Sequence, residues 1–392
     1  MRAVPGGHMP VLDGVRGLAV LMVLVFHFIG GTLPTNAIER VIVGITNYGA
    51  LGVELFFVLS GFLITGILYD TRNTPNYFRN FYMRRALRIF PLYYFVLILV
   101  FMVAPLIPLF AGPTLDALVD RQAWAWLYGV NIYLAKQGDW SFSYLQHFWS
   151  LAIEEHFYLF WPFVVFLLAQ RPKLLIAVSL ALALGAMLGR LVGSLAGLNW
   201  ITTYVLTPFR LDGLALGAVL ALLVRQPGGL ARLQRALPTV ASVTAVLVIA
   251  TFAWTRVMAD PALTLLLPLR AAFLQILLAC LLFWALVAPE RAAVTQFFTS
   301  RPMTLLGKYS YGLYVYHHFI SYYFTSNRTE LELARWFGSH GIAVIVQAAV
   351  GIAASCALAY VSYEFFEKRF LDFKHLYEAK PVPAVSTDTA RA

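Results

Sequence analysis

An arginine and a histidine, Arg16 and His27, interrupt the otherwise apolar stretch LDGVRGLAVLMVLVFH near the start of the chain. On a straight α-helix their spacing leaves them about 20° apart in azimuth and about 16 Å apart along the axis. The two side chains then point the same way at opposite depths. A guanidinium presents a planar fork of donors that matches phosphate oxygens. An imidazole can accept a proton near neutral pH. One helix face therefore carries an anchor for an anionic substrate at one end and a candidate base at the other.

Other polar residues recur in the same kind of setting. Glu54 lies in GVELFFVLSGF, and Ser150, Glu154 and Glu155 lie in FWSLAIEEHFYLFWP. Ser150 and Glu154 share a helix face, with Glu155 about 100° away. Arg84, Arg85 and Arg88 open RRALRIFPLYY. They either anchor the helix to lipid headgroups or bind a phosphorylated ligand. An ionisable group in a membrane span costs about 2.5–3.5 kcal/mol and needs a partner, a wet cavity or a function. His147, His156, His317 and His318 contain no pair at i and i+4 joined by a glutamate, and HExxH is absent, so no metal site is expected.

The elements that must hold these residues are membrane helices. Of the 392 residues 60% are apolar and 12% charged, and mean hydropathy is +0.74, where soluble chains have about a quarter of their residues charged. A soluble enzyme is excluded. The +10 net charge sits in short segments between apolar runs, the pattern of cytoplasmic loops rather than of a nucleic-acid binder. Cys280 and Cys356 lie inside apolar runs, so neither a disulfide framework nor a thiolate metal site is expected. The first run holds Asp13 and Arg16 and lacks a small-residue cleavage pattern, which marks a retained span.

Apolar runs begin near residues 12, 48, 89, 150, 173, 202, 238, 262, 303 and 341, each near the 18–20 residues a span needs. The pattern predicts an all-α polytopic bundle of about ten helices with both termini cytoplasmic; the run at 202–224, with Arg210 and Asp212, is the one that could be re-entrant. With that count the outer segments hold Arg40, Arg121, Lys136, Arg256, Arg328 and Arg335, the spans hold Arg16, Arg190, Arg210 and Arg270, and the rest of the 29 Lys and Arg fall inside. The asymmetry supports the orientation. Residues 1–379 form one membrane domain, and 380–392, KPVPAVSTDTARA, read as a disordered cytoplasmic tail. The outer loop at about 113–147 is rich in Trp and Tyr, which either line the bilayer interface or stack on sugar rings. Arg16, Arg85, Arg88 and Lys308 fall in a basic inner layer; His27, Glu54, Glu154 and Glu155 fall in an outer one.

The five stretches LDGVRGLAVLMVLVFH, GVELFFVLSGFLIT, RRALRIFPLYY, FWSLAIEEHFYLFWP and LGKYSYGLYVYH, with YEFFEKRFL after them, together resemble the type 3 membrane acyltransferases, over residues 10–373. The resemblance implies transfer of an acyl group, most often acetyl from acetyl-CoA, to a hydroxyl of an extracytoplasmic glycan, glycolipid or macrolide, in the bacterial cytoplasmic membrane. It maps the family's arginine and histidine onto Arg16 and His27, its paired arginines onto Arg85 and Arg88, and its serine and glutamates onto Ser150, Glu154 and Glu155. His156 stands where the family has glutamine, adding a titratable group near the expected site, and Arg369 where it often has proline. No soluble hydrolase-like domain of the kind some members carry is expected here, so transfer is expected within the membrane unit or through a partner. The expected scheme seats the donor phosphates on Arg85, Arg88 and Arg16 and uses His27, oriented by Glu154 or Glu54, as base. Membrane lipids are the other partners. The alternative is a proton-coupled secondary transporter of a small solute, whose inverted repeat is not visible; a non-catalytic scaffold is a third.

Overall fold

The computed structural model describes residues 9–257 and 260–378, and among these there is no strand. The expected tail at 380–392 and the placement of the two termini lie outside the described residues. Helix α1 (Pro10–Val25) opens on a proline, whose missing N–H would have no helical acceptor at that position, and runs directly into a π-helical turn, Phe26–Gly30. His27 sits in this wider turn. The straight-helix azimuth shared by Arg16 and His27 therefore holds only as far as Val25.

A short helix α2 (Ala37–Thr46), capped by Asn36 accepting from the Glu39 amide at 2.9 Å, leads into α3 (Leu51–Thr71). Next comes α4 (Tyr77–Ile98), then the aromatic excursion as α5 (Pro113–Asp120), α6 (Gln122–Trp126) and α7 (Val130–Gln137). Two long helices follow, α8 (Phe148–Leu168) and α9 (Pro172–Leu195). The run at 202–224 is broken: α10 (Trp200–Val205), a 3-10 turn at Thr207–Phe209, and α11 (Leu211–Val224). Pro208 sits in that turn, where its ring and missing donor prevent one continuous helix. The chain continues through α12 (Gly229–Val257), α13 (Asp260–Val287), α14 (Ala293–Thr299), α15 (Arg301–Lys308), α16 (Ser310–Asn327), α17 (Thr329–Phe337) and α18 (His340–Ser362).

Eight helices among the described residues are long and apolar enough to cross a membrane, and α11 is a shorter apolar one. The protein is thus an all-α, multi-pass integral membrane protein. Two of the ten expected spans do not meet the length and apolarity needed. The 14 residues of α11 cover only about 21 Å, and α16 is diluted by tyrosines and histidines.

Helix α1 is the hub, packed on α3, α13, α14, α15 and α16. It can approach α15 closely because residue 307 is glycine: a Cβ there would lie 1.8 Å from the Asp13 carbonyl oxygen, one turn from Arg16. Helix α11 is seated on α3 in the same way, since a Cβ on Gly217 would lie 2.0 Å from the Val58 carbonyl. These contacts leave little freedom in how α1, α3 and α11 present their polar residues.

Candidate active site

A cavity of about 100 Å³ lies between α1, α3, α4, α8 and α16. Arg16, Arg85 and Arg88 line it, with Ser60, Ser150, Glu154, Glu155, Tyr158 and Tyr314. The cations and carboxylates expected in two layers thus reach one continuous space. Arg16 is tied to Asp13 at 3.0 Å, and the Arg85 guanidinium lies 5.9 Å from the centre of the Tyr158 ring. Glu154 accepts from Ser60 at 2.8 Å. Arg84 does not line the cavity, and Lys308 pairs with Glu364 at 2.6 Å.

Ser150 marks the far wall. Its hydroxyl meets the Tyr314 hydroxyl at 2.5 Å, and each lies within hydrogen-bond reach of the His147 carbonyl, at 3.2 and 3.1 Å. Through His147 this wall joins a cluster of four imidazoles. The His147 ring centre lies 4.7 Å from that of His318 and 5.5 Å from that of His317, and the His27 centre lies 4.8 and 5.0 Å from those of His317 and His318.

The hydrogen bonds of the cluster determine its protons. A carbonyl only accepts, so His27 Nδ1, 3.0 Å from the Val23 carbonyl, carries hydrogen, as does His317 Nδ1, 2.7 Å from the Tyr314 carbonyl. His317 Nε2 then has its lone pair facing His27 Nδ1 at 3.3 Å. His27 Nε2 is left as the free basic nitrogen. The donor atoms of His27, His317 and His318 lie within 4.8 Å of one another, close enough to hold a metal ion. The spacing rules applied to the sequence could not detect this, because the three come from two helices.

The expected orienting carboxylates are placed elsewhere. Glu54 is bonded to Arg210 and accepts from Gln275 at 2.7 Å, so both its oxygens are engaged. Arg210 is 1% exposed. Arg190 bonds Asp212 and the Phe209 carbonyl, completing a buried ionic network across α3, α9, α11 and α13. His27 makes its hydrogen bonds to Val23 and His317 rather than to a glutamate. His156, expected beside the site, bonds Thr207 at 2.7 Å in the α10–α11 turn and does not line the cavity. Sequence reasoning missed Ser60, Tyr158, Tyr314 and the partnership of His317 with His27. Tyr314 and His317 stand in LGKYSYGLYVYH, and only that stretch's recurrence signalled them.

Comparison with known proteins places the chain in a family. A family model described as an acyltransferase domain matches residues 9–364. The peptidoglycan O-acetyltransferase OatA of Listeria monocytogenes is 26% identical over 378 residues, covering 92% of this chain and 55% of the relative. The O-acetyltransferase OatA of Staphylococcus aureus is 27% identical over 376 residues, covering 92% and 57%. The chain spans just over half the length of these curated relatives. No solved structure matches it.

Proposed function

The chain belongs to the acyltransferase family whose domain covers residues 9–364, and from that premise we propose that it moves an acetyl group from cytoplasmic acetyl-CoA to a hydroxyl of an extracytoplasmic cell-wall glycan. The observation that carries this reading is the cavity in which Arg16, Arg85 and Arg88 converge from two helices and which ends at Ser150 and Tyr314, beside the histidine cluster. Three guanidiniums suit a multiply phosphorylated donor. The Lys and Arg asymmetry of the sequence supports a cytoplasmic position for their end. The acceptor class is that of the Listeria relative, a peptidoglycan O-acetyltransferase.

In this mechanism Arg16, Arg85 and Arg88 hold the donor phosphates, and the thioester end lies toward Ser150 and His27. His27 Nε2 accepts the proton of the acceptor hydroxyl as its oxygen attacks the thioester carbonyl carbon. The carbon–sulfur bond breaks, the imidazolium returns its proton to the departing thiolate, and the products are an O-acetyl ester and free CoA thiol. His317 stabilises the productive tautomer by accepting from Nδ1. Glu154 and Glu155 balance the charge of the arginines between turnovers.

Acceptor-dependent release of CoA thiol by the purified protein tests the reading. His27→Ala is expected to lower the rate by about 10²–10⁴-fold, the range for loss of a general base, with acetyl-CoA binding retained. A His27→Ala variant as fast as wild type would overturn it. So would a wild-type protein that does not bind acetyl-CoA, the result expected of a transporter of another solute.

A further inference from the structure

A second, larger cavity, about 570 Å³, lies at the His27 end of the bundle, between the start of α3, the end of α9, α10 and the first half of α13. It is separate from the arginine cavity, but the wall between them is thin. Glu54 lines the larger space, while Val53 and Phe57 on the same helix line the smaller one. Arg210, which lines the larger cavity, stacks 5.7 Å from the ring of Trp149, the neighbour of Ser150. On another side, Asn47 lines the cavity and packs against Gly30 of the π-turn that carries His27; a Cβ on Gly30 would meet the Asn47 amide oxygen at 2.6 Å.

Two features of this cavity point to a ligand. The first is charge. Arg190, Arg210 and Arg270 all line it, whereas the carboxylates bonded to them are Asp212 and Glu54 only. Arg270 rests 4.4 Å over the Phe252 ring and pairs with no carboxylate among the described residues. An unneutralised guanidinium inside an apolar helix is costly without a counter-anion. Moreover, Arg190 and Arg210 are 5% and 1% exposed, and each leaves its Nε–H without a partner among the described residues. The second feature is an aromatic wall. Trp200, 62% exposed, and Tyr204 line the cavity, and Trp140 of the outer excursion lies 6.1 Å from both. Flat, exposed rings of this kind stack on the apolar faces of sugar rings.

We propose that this cavity is the acceptor subsite and that it selects an anionic saccharide: a sugar ring against Trp200 and Tyr204, with its oxyanion on Arg270. The assignment rests on the acyl-transfer reading above for the word acceptor, but the binding itself does not require turnover.

The test is therefore a binding measurement without donor. The full chain is reconstituted in phosphatidylcholine nanodiscs and titrated with a carboxylate-bearing cell-wall oligosaccharide and with the same oligosaccharide converted to its carboxamide. Wild type is expected to prefer the acid by about tenfold, the value of one charge-assisted hydrogen bond. Arg270→Gln should abolish that preference, Arg270→Lys should retain part of it, and Trp200→Ala should weaken both ligands together. Equal affinity of wild type for acid and amide would overturn the proposal. So would phosphatidylglycerol that co-purifies with wild type before reconstitution and is lost on Arg270→Gln, with oligosaccharide affinity unchanged, since the cation would then serve a lipid headgroup. If the acid binds as expected but no acetyl transfer is detected, the subsite stands and the acyl-transfer reading fails.

Discussion

Two buried ionic assemblies lie a few residues apart and are built from the same residue types, yet they are wired differently. In the network of Glu54, Arg210, Arg190 and Asp212, each arginine is bonded to a carboxylate, and Gln275 engages the remaining Glu54 oxygen. In the central cavity, Arg85 and Arg88 face an open space shared with Glu154, Glu155 and Arg16, the last paired with Asp13, and Glu154 spends its hydrogen bond on Ser60 rather than on an arginine. A neutralised ion pair holds helices together, and what Arg190 and Arg210 keep for a ligand is the Nε–H of each. Cations that line a space without being consumed by it are available to an anion from outside. Charge in a membrane span is costly in both places; the first arrangement offsets most of the cost with its internal pairs, and the second offsets it on binding.

The sharpest way to break this contrast is to remove one arginine from each assembly. Arg210→Met strands the buried Glu54 without its cation and should destabilise the fold by about 3–5 kcal/mol, the usual penalty for half a buried pair. Thermal unfolding followed by size-exclusion chromatography should register it as loss of monodisperse protein. Glu54→Met combined with Arg210→Met should recover much of the loss, since no lone charge is left. A stable Arg210→Met protein would show that the network is not structural.

In the cavity the same operation should spare the fold. Arg85→Gln and Arg88→Gln are each expected to raise the KM for acetyl-CoA about tenfold, the value of one charge-assisted hydrogen bond, with the unfolding temperature near wild type. If either variant fails to fold, the two assemblies are alike and the distinction drawn from their wiring is wrong.

The contrast was only half legible in the sequence. The presence of most of the long helices follows from apolar run length, because that depends on the bilayer more than on neighbours. Which carboxylate is free does not follow. Glu54 and Glu154 have the same type and comparable depth, and what separates them is Arg210, which arrives from a helix far along the chain only because Thr207–Phe209 breaks the run at 202–224. The π-turn at Phe26–Gly30 is likewise invisible to a count of residues per turn. The seating of His317 against His27 depends on how α16 packs beside α1, which periodicity does not report.

A smaller effect separates positioning from chemistry within the histidine cluster. His317→Ala should lower kcat about tenfold, leaving KM for the donor unchanged, because it removes one acceptor from His27 Nδ1 while Val23 still holds that proton. His317→Gln, whose amide oxygen can accept in its place, should restore part of the rate. Equal loss in both variants would point to packing instead.

The smallest expected effect tests the wall between cavity and cluster. Ser150 and Tyr314 both reach the His147 carbonyl and also bond one another. Ser150→Ala leaves Tyr314 able to donate to that carbonyl, and Tyr314→Phe leaves Ser150 able to do so. Each single change should therefore cost about 1 kcal/mol, a few-fold in kcat/KM. The double variant leaves that carbonyl only the longer bond from the Ser150 backbone N–H, at 3.4 Å, and its loss should exceed the sum of the singles by up to about 1 kcal/mol. A double-mutant cycle on kcat/KM measures that coupling directly. Strict additivity would mean that the two hydroxyls act on the reaction separately, and that the short contact between them does not link the donor cavity to His27.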